Sequence, residues 1–383
     1  MAEALALDDR RLLVELQSLG VRVQDEREDA MPARRGGAGP SDALFLWVRG
    51  LPLTVPVHAE FVAASPYTLR LAGRESELLR DGEPVGPVRL PRRPRIYDMQ
   101  TADGVPYWKI ALLHLDSIAS TVVQKCIYWG THEQCGFCGI ELTRGEQTIP
   151  VKTPAQLAEV CTAARDLDGA VDVTLTTGSI NRRDRGALYI SRCAAAIKEA
   201  SGLPIQVQFE PPDDLAVLSH VRDAGVDAVG IHLETFDPDV LATVAPGKAA
   251  TGIDRYFECW ARAVEVFGRG AVSTYVILGM GERPELIEEG CRRAIELGVY
   301  PFVVPIRPVA GTLMEATPAP DPDYVAGIYR SVSAMLAASD LDHTSAKAGC
   351  ARCQACSGLS AWERIFAREQ SNGHHELPVI TRA

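Results

Sequence analysis

Residues 120–142, STVVQKCIYWGTHEQCGFCGIEL, set a run of strand-forming residues directly against three cysteines, Cys126, Cys135 and Cys138. The β-branched residues of STVVQKC predict a strand that runs straight into the first cysteine. Five further runs of strand character follow: VDVTLTTG (171–178), PIQVQFEP (204–211), VDAVGIHLE (226–234), AVSTYVILG (271–279) and VYPFVVPIRP (299–308). Helical patterns separate them, beginning with PAQLAEVCTAARDL and ending with RPELIEEGCRRAIELG, and PDYVAGIYRSVSAMLAASD follows the last strand as a sixth. Alternation of this kind, with short turns, is the pattern of βα units on a parallel sheet.

Six units suit an open doubly wound sheet or a partial barrel, and the polar residues separate the two. Each strand ends in unusual chemistry: Cys126 after the first, 176–179 (TTGS) after the second, Glu210 after the third, His232 and Glu234 on the fourth, 279–282 (GMGE) after the fifth and Arg307 after the sixth. In a barrel those ends converge on one mouth, where catalytic groups gather. No GxGxxG follows the first strand, which speaks against a dinucleotide site. The expected fold class is α/β, a partial TIM barrel of six βα units.

Outward from the barrel, residues 1 to about 30 read as an amphipathic helix and a charged segment, and PARRGGAGPSD as a loop. ALFLWVRG, YTLRLAG, ESELLRDG and PVRLPRR read as short strands, with AG and DG marking hairpins. The expected organisation is an N-terminal helix and β-rich domain over 1–105, the barrel over 106–340, and a cysteine-containing extension over 341–383.

With 46% apolar and 23% charged residues the chain reads as soluble and globular, and no apolar run approaches the roughly 20 residues of a membrane span. A net charge of −11 argues against a nucleic-acid surface, which needs concentrated Lys and Arg; RRPR at 92–95 reads as a solvated loop. No signal peptide is apparent at the start. Of the ten cysteines, Cys161, Cys193, Cys259 and Cys291 fall in helical patterns as small buried hydrophobes. The other six form two triplets, which places the chain in a reducing, cytoplasmic compartment.

Three thiolates are a soft set suited to iron–sulfur or zinc. Structural zinc takes four protein ligands, and His132 is available as a fourth. A cubane needs one ligand for each iron, so three cysteines leave one iron open to a substrate or cofactor. The second triplet, Cys350, Cys353 and Cys356 in AGCARCQACSG, has the CxxCxxC spacing of ferredoxin cluster runs. Its alternative is zinc with a remote fourth ligand, His343 or the pair His374 and His375.

On these residues the chain resembles the radical SAM superfamily, although its Cys126-x8-Cys135-x2-Cys138 spacing lengthens the first interval of the family's common CxxxCxxC. The resemblance implies a [4Fe-4S] cluster on Cys126, Cys135 and Cys138 that binds S-adenosylmethionine (SAM) and cleaves it reductively to a 5'-deoxyadenosyl radical, which takes hydrogen from a small-molecule substrate. It implies Phe137 near the adenine; Thr177, Gly178 and Ser179 in the place of the family's GGE motif; Glu210 at the ribose hydroxyls; and Glu234 as a polar fourth-strand residue. Ile277 and Gly279 would lie beside adenine, and Arg307 would anchor a substrate or SAM carboxylate. The C-terminal triplet would hold a second iron–sulfur cluster for electron transfer, substrate anchoring or sulfur donation. With the N-terminal extension, the whole resembles an uncharacterised family of nitrilase-associated gene clusters and, more distantly, biotin and lipoyl synthases. The implied partners are an external one-electron donor such as flavodoxin or ferredoxin and a small molecule, with no nucleic acid and no membrane. The rival readings are a zinc-dependent barrel hydrolase or lyase using His232, Glu234 or Glu210 as acid–base groups, and a non-catalytic iron–sulfur electron carrier.

Overall fold

The computed structural model describes residues 7–24, 37–38, 43–72, 75–142 and 146–363. They form two sheets. The first comprises β1 (Arg22–Gln24), β2 (Ala43–Val48), β3 (Leu51–Pro56), β4 (Tyr67–Arg70), β5 (Glu75–Arg80) and β6 (Glu83–Arg89), in the order β1-β4-β5-β6-β2-β3. The DG signal holds between β5 and β6: Asp81 and Gly82 both take positive φ, 51° and 89°, as a two-residue hairpin turn of the primed type requires. The sequence reading did not single out β1 or β3, and the N-terminal helix within the described residues is Leu7–Leu19.

The second sheet runs β7 (Leu112–His114), β8 (Ser117–Thr121), β9 (Asp172–Thr176), β10 (Ile205–Gln208), β11 (Ala228–Gly230), β12 (Val272–Leu278) and β13 (Val299–Pro305), in sequential spatial order. From β8 to β13 every neighbouring pair is parallel, while β7 joins β8 as an antiparallel edge. Helices follow the six parallel strands, at Pro154–Asp168, Ala187–Ser201, Val217–Asp223, Ile253–Phe267, Pro284–Leu297 and Pro322–Ala337. Thus the expected partial barrel of six βα units is the observed fold. The first of these helices illustrates why the sequence folds this way. Thr153 and Gln156 form a reciprocal capping box, Pro154 opens the helix, Gly169 closes it in the left-handed region, and Leu157, Val160, Cys161 and Ala164 bury one stripe against the sheet.

One expectation needs correcting. The first barrel strand starts earlier than read and ends at Thr121, so it does not run into Cys126. Beyond Thr121 the chain turns to residues 150–152: Gln124 N–H donates to the Pro150 carbonyl at 2.7 Å and Lys152 N–H to that of Val122 at 2.9 Å. The apolar pair Val122–Val123 thus serves a side crossing as well as the sheet, since Val122 N–H still donates to the Thr176 carbonyl of β9 at 2.8 Å. Two short helices, Pro238–Val244 and Pro246–Thr251, also lie between β11 and the next long helix, where only one helix was expected.

The first sheet meets the barrel at the N-terminal ends of the barrel strands and along the open flank by β7. Thr54 N–H on β3 donates to the Ala355 carbonyl at 2.7 Å, and Phe45 on β2 sets its ring edge-on to His114 on β7 with centroids 3.9 Å apart. Ala38 N–H reaches the Thr121 hydroxyl at 2.6 Å. Among the described residues no helix is long and apolar enough to cross a membrane.

Candidate functional site

The loop after β8 is held by backbone contacts from several barrel units. Ile127 N–H donates to the Ser179 carbonyl at 2.8 Å, Gly136 N–H to Val244 at 2.7 Å and Gly178 N–H to Val123 at 3.0 Å, while Cys126 N–H is capped by the Glu141 carboxylate at 2.8 Å. Gly178 admits this arrangement because a Cβ there would stand 2.1 Å from the Lys125 carbonyl oxygen. The loop therefore rests on TTGS, the segment expected to act beside it. Burial raises the thiol pKa values of Cys126, Cys135 and Cys138, that of Cys138 to about 12, and the thiols near one another add to the effect. A cationic group among them would favour the thiolates.

The second triplet closes the other end of the barrel. Gly349 N–H donates to Asp172 at 2.7 Å, and Arg352 pairs with Asp172 at 2.8 Å and with Asp116 at 2.6 Å. Asp116 and Asp172 mark the starts of β8 and β9, so the segment 349–356 forms the barrel floor. Gly349 takes φ +90°, and a Cβ would meet the Gln206 side chain at 2.1 Å, so the chain can pass only as glycine. Cys350 Sγ accepts from Gln208 Nε2 at 3.5 Å, Cys356 Sγ lies 3.7 Å from the Thr54 hydroxyl and Cys353 Sγ 4.0 Å from His114 Nδ1.

One cavity of about 370 Å³ joins the two ends. Phe137, Cys138, Thr177 and Glu234 line it on the mouth side, and Cys350, Cys353 and Cys356 on the floor, with Arg307 also in its wall. Cys126, Cys135, Gly178, Ser179, Glu210, Ile277 and Gly279 do not line it. Glu210 instead receives the Tyr128 hydroxyl at 3.4 Å. Gly279 N–H is bonded to the Glu282 carboxylate at 2.7 Å, which also binds Met280 N–H and the Tyr324 hydroxyl; that acid stabilises its own turn.

Glu234 sits at φ +78°, a strained conformation for a non-glycine residue, and its carboxylate pairs with Lys248 Nζ at 2.8 Å. Burial opposes the Lys248 charge, but Glu234 together with Tyr256, Cys135 and Glu210 outweighs it and holds the ammonium above its usual pKa. Lys248 is near enough to lower the pKa of Cys135 and Cys138, against the effect of their burial. This buried cation was missed in the sequence, and the PGK run at 246–248 is its only signal. His232 lines the cavity with its Nδ1 accepting Tyr275 N–H at 3.1 Å; burial, with Lys248 nearby, pushes its pKa down to about 3. The neutral ring therefore carries its proton on Nε2, which has no partner. Arg307 Nη1 is likewise buried and unpartnered; burial works against its charge and Cys356 favours it, with a net upward shift.

Among the described residues, no three His, Cys, Asp or Glu side chains gather closely enough to hold a single metal ion. A tetrahedral zinc would need its donors within about 2.3 Å of one point, whereas a cluster spreads its ligands around a larger body. Three soft thiolates are the donor set that such a cluster takes, and the cavity of about 370 Å³ lies beside them. The expected zinc partners fare no better: His132 is exposed, and His343 Nδ1 is engaged by Glu363 at 2.7 Å. His374 and His375 lie outside the described residues. Cys161, Cys193, Cys259 and Cys291 are fully buried in helices.

Residues 130–298 match the model of the Radical SAM superfamily. Its members typically use a [4Fe-4S] cluster and SAM. The chain is 26% identical over 221 residues to the bacteriochlorophyllide c C-7(1)-hydroxylase of Chlorobaculum limnaeum, across 52% of this chain and 55% of that protein. It thus spans about half the length of this curated relative. Among solved structures it is similar to methylornithine synthase (19% identity, 56% of this chain and 60% of that one, TM-score 0.45). A radical SAM methyltransferase from Sphaerobacter thermophilus is 12% identical, over 62% and 69% of the two chains, at a TM-score of 0.45.

Proposed function

We propose that the protein is a radical SAM enzyme acting on a small molecule held inside the barrel, with a [4Fe-4S] cluster on Cys126, Cys135 and Cys138 and a second cluster on Cys350, Cys353 and Cys356. The observation that carries this reading is the single cavity reached by both cysteine triplets, from the mouth by Cys138 and from the floor by the other three. When bound and reduced by an external one-electron donor of the flavodoxin or ferredoxin type, the first cluster supplies the electron that splits SAM into methionine and a 5'-deoxyadenosyl radical able to take hydrogen from substrate.

The chain's own residues supply position and exclusion. Phe137 and Thr177 face the cavity beside Cys138 and are assigned to SAM, with Gly178 and Ser179 beneath the loop. Glu210, Ile277 and Gly279 stand outside that wall and are assigned to the cofactor's outer contacts. Glu234 acts through Lys248, whose charge offsets the thiolates that the cluster requires. The Nε2–H of His232 and the Nη1 of Arg307 are unused donors in the wall, which suits a substrate bearing oxygen acceptors. The floor segment closes the far end, which keeps bulk water and competing hydrogen donors from entering on that side. The organisation we propose is N-terminal extension 1–105, barrel 106–340 and C-terminal extension 341–383, in a reducing cytoplasm.

Anaerobic reconstitution with iron and sulfide followed by dithionite and SAM tests the reading. We expect 5'-deoxyadenosine to accumulate, and Cys138→Ser to abolish it. Protein with a full complement of iron and sulfide that binds SAM without cleaving it would sink the proposal, as would full activity with zinc in air.

A further inference from the structure

The imidazole of His114 has no adequate partner in a setting that should demand one. It stands at the end of β7, the antiparallel edge strand, and faces the floor of the cavity. Its Nε2 is buried without any hydrogen-bond partner, and the contact of its Nδ1 is the Cys353 thiol at 4.0 Å, the outer limit for such a bond. Phe45 from β2 packs edge-on to the ring and fixes its plane. A buried polar ring without partners is costly unless it serves another purpose.

Of the other groups around the floor thiols, the Tyr275 side chain is hydrogen-bonded to Cys350, and two more are committed or chemically unfit. Gln208 Nε2 also donates to Gln206 Oε1 at 2.9 Å. Arg307 is a permanent cation with no lone pair to give. Neutral imidazole, by contrast, is a good ligand for iron, and His114 comes from the barrel edge while the three thiols come from one short run.

We infer that His114 is the fourth ligand of the C-terminal site, which makes the barrel floor a Cys350/Cys353/Cys356/His114 iron–sulfur centre. The inference rests on the cluster reading of that triplet and goes beyond it by closing the site. With four protein ligands no iron remains open to substrate, so this centre carries electrons or braces the floor and does not anchor the reacting molecule. Thr54 near Cys356 and Phe45 against His114 are then its supports, which gives the N-terminal sheet a role in holding the centre.

The test uses the full chain with Cys126, Cys135 and Cys138 all changed to alanine, so that only the floor site can load and SAM cleavage plays no part in the readout. After anaerobic reconstitution, iron and sulfide are assayed and the reduced protein is studied by pulsed electron paramagnetic resonance, with natural and with ¹⁵N-labelled histidine. The expected result is a cluster whose signal carries a nitrogen coupling that changes with the histidine label. His114→Ala should lose the coupling, and His114→Cys should keep a cluster without it. A loaded parent with no histidine coupling, or stoichiometric zinc in place of iron and sulfide, would overturn the inference. The isotope comparison is made on the parent and decides the matter even if a His114 variant fails to fold. Failure here with normal 5'-deoxyadenosine formation by the wild-type chain would leave the proposed function standing.

Discussion

Replacing Arg352 by methionine tests whether the C-terminal segment is a structural floor of the barrel. The guanidinium bridges Asp172 and Asp116, and the Asp172 side chain is 0% exposed while that of Arg352 is 24% exposed. Removing one partner of a buried ion pair typically costs about 3–5 kcal/mol, because the remaining charge is left without water or counter-ion. Asp172 keeps the Gly349 N–H and the Ser117 hydroxyl, and Arg352 is partly solvated, so the lower end, about 2–3 kcal/mol, is expected. An unfolding entropy of roughly 2 cal/mol/K per residue makes each kcal/mol worth about 1 °C if the chain unfolds together. Calorimetry should therefore find Tm about 2–4 °C lower, and amide exchange should rise at 349–356 before it rises elsewhere. The sign with pH is also fixed. Burial raises the Asp172 pKa and Arg352 pulls it back, so the arginine's loss moves it further up. A carboxyl with a raised folded pKa destabilises the fold as pH rises through that value, so the variant's deficit should be largest near neutrality and shrink in acid. Asp172→Asn in the same background should recover at least about 1 kcal/mol. Strictly additive single and double variants, or a deficit that grows in acid, would refute a buried pair at the floor.

Two further outcomes follow from other parts of the site. Gly178→Ala sets a Cβ against the Lys125 carbonyl at 2.1 Å and should displace the approach to Cys126; iron analysis should find the first site depleted and the floor site loaded, and normal loading of both would contradict the close approach. His232→Asn keeps an acceptor for Tyr275 N–H but removes the titration. Because the folded His232 pKa is lowered from 6.5 to about 3, its contribution to stability is lost as pH falls below 6.5. Wild type should therefore lose up to about 2 kcal/mol more than the variant between pH 7 and pH 5, as read by denaturant unfolding; parallel curves would mean that the ring is not held neutral.

What the sequence disclosed, and what it concealed, follows from the range of the interactions involved. The six βα units were legible because their signals are local: a capping box at Thr153, a left-handed Gly169, and an apolar stripe at Leu157, Val160, Cys161 and Ala164. Both triplets were visible by spacing alone. What spacing cannot convey is which end of the barrel each triplet occupies. That depends on Arg352 meeting two aspartates some 180 and 236 positions earlier in the chain, and on Gly349 fitting against Gln206. The same limit hid Lys248, a residue of the short helix Pro246–Thr251 that gains its role only by pairing with Glu234 beside the cysteine loop. It also hid where His114 sits: its β7 strand is only three residues long, and its place beside Cys353 depends on a segment more than two hundred residues away. The early strand ending has the same origin: Val122 and Val123 have strand propensity, but they divide their backbone bonds between residues 150–152 and the end of β9 with the loop after it. The chemistry-bearing residues were therefore identifiable one by one, whereas the enclosed space they share is a property of contacts that bring distant segments together.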